Sequence, residues 1–121
     1  LFRSDADVMG QFSADEHRFG IHAGDLETSM MLALSPARVN MAQAQNFAST
    51  SQDRAKHYAV LGNGKSAKLG WHMQDYNPQG AAGNAAAATA VKGKALVHSA
   101  GEQLALLLKE LVALPLTTVR V

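Results

Sequence analysis

The stretch from about Ala85 to Pro115 most constrains what this chain can fold into. Asn84 is available as an N-cap and Pro115 as a stop, and the residues between them predict one long helix. Val97, Ala100, Gly101, Leu104, Leu107, Leu108 and Leu111 form an apolar stripe on it, but Leu106, Val112 and Leu114 lie on the other side. A helix apolar over so much of its circumference needs cover on more than one side. Gly93 is a candidate kink. The chain is 47% apolar, yet 22 of its residues are alanines, which bury far less area than Leu or Phe. Close backbone packing, rather than bulky filling, is the expected use of them.

A second helix is predicted from Gly24. Asp25 and Glu27 occupy its first turn, where carboxylates favour the positive end of the dipole, and Leu26, Met30, Ala33 and Leu34 follow at helical spacing. Pro36 ends it or starts a short new turn. Residues 1–19 lack a sustained period and read as irregular, with one helical turn at most. The polar, Ala-rich stretch Ala42 to Arg54 reads as a surface connection. Tyr58 to Leu61, the turn Gly62-Asn63-Gly64-Lys65, and Ala67 to Met73 read as strand, tight turn and strand. Asn77-Pro78-Gln79-Gly80 is a further turn. Two or three strands and two helices are thin for an independent α/β domain, and suggest a chain that sits beside a larger sheet.

With 11 Lys and Arg against 10 Asp and Glu, the net charge of +1 lacks the basic excess of a nucleic-acid binder. The absence of Cys excludes disulfide frameworks, thiolate zinc sites and thiol nucleophiles, and agrees with a cytoplasmic location. No apolar run reaches the roughly 18 residues of a membrane span. Leu1-Phe2-Arg3 has neither an initiator Met nor a signal-peptide layout, so a processed product or a fragment is expected.

Two clusters carry possible chemistry. Ala59 to Ser66 fits a loose phosphate-loop pattern, but that loop requires a helix opening at Lys65, and Ala67-Lys68-Leu69 suits a strand better. The second runs from Asp15 to Ser29. It places His22 just before a helix start and Glu27 in the first turn, five residues later, with Ala23 and Gly24 leaving space between them. Such a pair can orient each other, share a proton or approach a metal-bound water. Such pairs are common, and the spacing alone favours a surface His beside acids that serve the helix dipole. Met30 and Met31 read as core filling, His98 as a partly exposed helix residue, and His72 and Asp75 as surface polar groups. His17 and His57 have no partner at a diagnostic spacing.

The run His22-Ala23-Gly24-Asp25-Leu26-Glu27-Thr28-Ser29-Met30-Met31-Leu32 closely resembles the H-A-G-[DE]-x-E-T-S segment of the creatininase family. Gly70-Trp71, Asp75, Pro78, Gly80, Gly83-Asn84, Ala88-Thr89 and Lys92-Gly93 resemble the family's downstream pattern in order and spacing. The resemblance covers about residues 15–112. It implies an α/β class, as part of a three-layer α/β/α fold, with residues 1–121 forming the C-terminal portion of a single domain. It also implies an oligomer, commonly a hexamer, that hydrolyses cyclic or acyclic amides with divalent zinc, manganese or iron.

By that resemblance His22 takes the catalytic His role, and Glu27 is the Glu that orients it or approaches the metal. The family's Glu-x-His pair, its Asp after a Pro-containing loop and its Asn-Gly-His loop do not occur here, so the main ligands are expected in a missing N-terminal segment or companion chain. Where creatininase itself carries a substrate-contacting Trp-Asp pair, this chain has Arg18 and Phe19. Arg18 would suit a carboxylate or phosphate on the substrate, unless it merely pairs with Asp15 or Glu16. Trp71 would line the pocket mouth, or else anchor the core. Two functions remain open: a metal-dependent amide hydrolase of small molecules to which this chain supplies the His-Glu segment, or a non-catalytic assembly or regulatory module on the same scaffold.

Overall fold

The computed structural model describes residues 5–61, 67, 70 and 72–118. The described residues open with two short helices, each started by the side chain before it. Asp5 Oδ1 accepts the Val8 N–H (3.1 Å) to open α1, Ala6–Met9. Ser13 Oγ accepts the Glu16 N–H (3.1 Å) to open α2, Ala14–Phe19. The Val8 N–H also holds the Asp5 carboxyl below the usual carboxylate range. These two caps overturn the irregular reading for residues 5–19.

Helix α3, Asp25–Leu34, starts after Gly24 as expected. Pro36 then opens a 3-10 turn, Pro36–Arg38, and a second follows at Met41–Gln43. The stretch read as a surface connection instead holds strand β1, Asn46–Phe47, and helix α4, Thr50–His57, which Ser49 caps through the Ser51 N–H. Basic residues Arg54, Lys56 and His57 complete α4's last turn, where they complement the helix dipole. Tyr58 to Leu61 does not form a strand. Leu61 makes an isolated parallel bridge with Ala67, the turn at residues 62–66 lies outside the described residues, and Met73 opens helix α5, Met73–Tyr76. The turn at Asn77 to Gly80 is present, closed by the Gly80 N–H on the Asn77 carbonyl at 2.9 Å.

Strand β2, Gly83–Asn84, pairs antiparallel with β1. Ala85–Ala87 is a 3-10 turn rather than the start of the long helix. That helix, α6, runs Ala90–Ala113 and is capped by Thr89, whose Oγ1 accepts the Lys92 N–H. The described residues are therefore mostly helical with one small two-stranded sheet. A sheet needs partner strands for its ladder groups, and here the pairs that form are two residues long. No helix among the described residues is long and apolar enough to cross a membrane.

The core is the crossing of α3 on α6. Val8, Phe12, Leu26 and the fully enclosed Leu96 form its centre, with Met30 packed against it. The buried residues of α6 are Gly93, Leu96 and Ser99, a more N-terminal set than the predicted leucine stripe. A Cβ on Gly93 would fall 1.8 Å from the Ser29 carbonyl oxygen, so the two backbones are in direct contact there. Asp25 is buried rather than a simple dipole acid. Its Oδ1 accepts the Ser29 hydroxyl (3.0 Å) and its Oδ2 pairs with Lys92 Nζ (2.5 Å). Ser29 Oγ in turn accepts the Thr89 N–H at 3.1 Å, and Lys92 also donates to the Ala87 carbonyl at 2.7 Å. Beyond Ser99 the helix leaves this cover: Leu104, Leu107, Leu108 and Leu111 are all exposed.

Candidate active site

Residues His22 to Glu27 carry the chain from a bridge into the first turn of α3. The Ile21 N–H donates to the Ala82 carbonyl, and the Ala82 N–H donates to the His22 carbonyl, both at 2.8 Å. Ala23 then takes φ 55, the left-handed region that a non-glycine residue enters at a cost of about 1 kcal/mol. Its N–H, turned by that conformation, donates to Glu27 Oε2 at 2.5 Å. The same oxygen lies 3.3 Å from His22 Nδ1. The structure thus brings His22 and Glu27 together, and both side chains remain about half exposed.

Behind this reversal sits a residue that sequence reading treated only as a surface partner for Arg18. Glu16 is 5% exposed, and its carboxylate accepts the Leu26 N–H (3.2 Å) and the Asn84 N–H (2.9 Å). It thereby ties the start of α3 to β2. Gly20, Gly24 and Gly83 surround it, and a Cβ on Gly24 would come within 2.3 Å of Glu16 Oε1. The glycines are required because the carboxylate occupies the space their side chains would need. The spacing of Glu16, Gly20 and Gly24 is the one signal that could have pointed to it.

His22 and Glu27 open onto a groove of about 390 Å3. Ala23 and Met31 line it from the same side of the molecule, and Arg38, Val39, Asn40 and Gln43 line it from the two 3-10 turns after α3. Phe47, Ala81 and Ala85 complete its apolar surface. Met31, read as core filling, is 40% exposed and belongs to this wall. A smaller polar cavity of about 120 Å3 lies beside Glu16 and does not include the His22 and Glu27 pair.

The other predicted site residues are placed elsewhere. The Arg18 guanidinium lies 4.7 Å over the Phe19 ring and does not line the groove. Trp71 lies outside the described residues. His17 contacts the Met9 carbonyl, His57 the Asp53 carbonyl, and His98 pairs with Glu102 on the exposed face of α6. Asp75 accepts the His72 N–H and so caps α5.

Among the described residues no three His, Cys, Asp or Glu side chains converge on a point where a metal ion could sit. His22 and Glu27 supply at most two ligands, short of the three protein ligands that a catalytic zinc usually requires. These residues do not constitute a metal site by themselves.

No curated protein and no solved structure matches the chain significantly. Residues 2–108, by contrast, match the creatininase family model, described as creatinine amidohydrolase. That match spans both the His22 to Ser29 segment and the downstream residues that pack against it, and on it the chain belongs to the creatininase family.

Proposed function

We propose that this chain supplies the His22 and Glu27 segment of an amide (C–N) hydrolase, on an α/β/α scaffold. Divalent metal would be held mainly by residues of a companion segment, and the working unit would be a cytoplasmic homo-oligomer. The observation that carries this reading is the shared Glu27 Oε2, which faces both His22 Nδ1 and the Ala23 N–H. Hydrolysis adds water to the carbonyl carbon and breaks the C–N bond, and the departing nitrogen must gain a proton because an amide anion is a very poor leaving group. With Nδ1 directed at a carboxylate, the imidazole is oriented, and Nε2 is left to pass that proton to the nitrogen. Glu27 stabilises the imidazolium while it carries the extra proton. The 3.3 Å separation is slightly long for a hydrogen bond, as is common before substrate closes a site.

The test is hydrolysis of cyclic and linear amides by the chain joined to its metal-bearing companion segment, compared with the His22→Ala variant in the same assembly. A fall in kcat of at least about 100-fold with KM little changed is the expected result. Unchanged turnover would remove the catalytic reading. A second reading, a non-catalytic assembly module, is favoured by the row of exposed leucines on α6, and it predicts that His22→Ala alters neither activity nor assembly.

A further inference from the structure

The groove that holds His22 and Glu27 also holds one guanidinium. Arg38 is the only Lys or Arg among its described lining residues, and Glu27 is the only acid. None of the ion pairs among the described residues engages Arg38. An exposed arginine is ordinary on a surface, but this one stands on the wall of a largely apolar concavity that also contains the candidate catalytic pair.

The order of residues along α3 sets the spacing. Glu27 is in the helix's first turn, and Met31, four residues on and so on the same face, also lines the groove. The Pro36–Arg38 turn follows the helix's C-terminal end directly after Ser35. At 1.5 Å per residue, the advance from Glu27 to the end of α3 is about 10 Å.

We propose that Arg38 binds the carboxylate of an elongated amide substrate whose scissile bond lies at His22 and Glu27, on the order of 10 Å away. This rests on the hydrolase reading above and names its substrate class. A guanidinium can hold a carboxylate through two parallel hydrogen bonds, and Asn40 and Gln43 on the neighbouring turn add neutral amide donors to the same wall. One guanidinium balances one negative charge. A phosphate monoester, with about −1.5 to −2 at pH 7, would leave excess charge in a groove whose other ionised group is Glu27. In the chain without metal, as used in the titration below, repulsion from Glu27 also disfavours the reversed orientation, in which the carboxylate would sit at the catalytic end.

Titration of the full chain with 6-acetamidohexanoate, its neutral N-methylamide and 6-acetamidohexyl phosphate, followed by NMR, tests the subsite. The carboxylate is expected to bind about 10-fold tighter than the neutral amide and tighter than the phosphate. Arg38→Gln should abolish that preference while leaving the neutral compound's affinity unchanged, and Arg18→Gln should leave the preference intact. Equal affinities in the wild type, tighter phosphate binding, a preference that survives Arg38→Gln, or its loss in Arg18→Gln instead would each overturn the proposal. Binding is read independently of turnover. A preference that follows Arg38, in a chain that hydrolyses no amide even when metal and the companion segment are supplied, would sustain the carboxylate subsite and count against the hydrolase.

Discussion

Replacing Gly93 with alanine is expected to cost about 4 kcal/mol, a large part of the roughly 5–15 kcal/mol that holds a domain of this kind together. Two effects of opposite sign compete. Alanine is the better helix former by about 1 kcal/mol. Its methyl, however, would sit 1.8 Å from the Ser29 carbonyl oxygen and 3.0 Å from the Ala33 Cβ. A backbone carbonyl within a helix cannot rotate away, so α3 and α6 must separate. Overpacking of this sort costs about 1–3 kcal/mol or more. Separation would in addition expose part of Leu96, whose burial is worth about 1.5–3 kcal/mol, and pull at the pairing of Asp25 with Lys92. Gly101→Ala, on the same helix but with nothing within 4 Å of the added Cβ, should instead stabilise by about 0.5–1 kcal/mol. Urea denaturation of the two variants checks both signs. A Gly93→Ala protein as stable as the wild type would mean that the helices do not cross here.

Glu16→Gln is the second large effect. The carboxylate offers an oxygen to each of two backbone donors, on Leu26 and Asn84. The isosteric amide has only one oxygen, so its NH2 must face one of those N–H groups. Loss of a charge-assisted bond and a buried donor left unpaired together cost about 3 kcal/mol. The damage also reaches the groove, because Leu26 precedes Glu27 and the Asn84 strand follows the Ala82 bridge that holds His22. Turnover by the chain joined to its metal-bearing companion segment should therefore drop in a variant whose His22 and Glu27 are untouched. A double-mutant cycle identifies the cause. Gly24→Ala should be strongly destabilising in the wild type, where its Cβ would lie 2.3 Å from Glu16 Oε1, and much less so after Glu16→Ala has vacated that space. Additive costs would show that the carboxylate is not what the glycine accommodates.

What could be read from the sequence was what depends on neighbours in the chain. Helix α3 was legible because its acidic first turn, apolar spacing and Pro36 agree, and the long helix because Pro115 bounds it. Helix α4 was equally local, with Ser49 as cap and basic residues at its end, but its polar composition made it look like a connection. The long helix's core face was misplaced for a different reason. A stripe drawn through the largest side chains selects leucines that lie in solvent, whereas the contact with α3 is made at Gly93, where the absence of a side chain is what matters. No hydropathy pattern marks such a position.

The site divides in the same way. His22 and Glu27 stand five residues apart, and their meeting was readable from that spacing and from the family segment. The 68 residues that separate Glu16 from Asn84 hide the peg beneath them, since nothing local shows that a carboxylate next to surface charges turns inward. The two arginines are placed by the fold rather than by their distance along the chain. Arg18 is nearer in sequence to His22, but α2 carries it away onto the Phe19 ring, and the turn after α3 places Arg38 on the groove wall instead.

Helix α6 is one element by its hydrogen bonds but two by what surrounds it. Its first turns are fastened to α3 through Gly93 and Lys92, while from Leu104 onward its leucines are exposed among the described residues. Opening of the later turns therefore need not disturb the core, and hydrogen exchange should be divided partway along the helix. Amides near Leu96 should exchange only through global unfolding and those near Leu111 through local fraying, so the unit that unfolds together here is smaller than the helix.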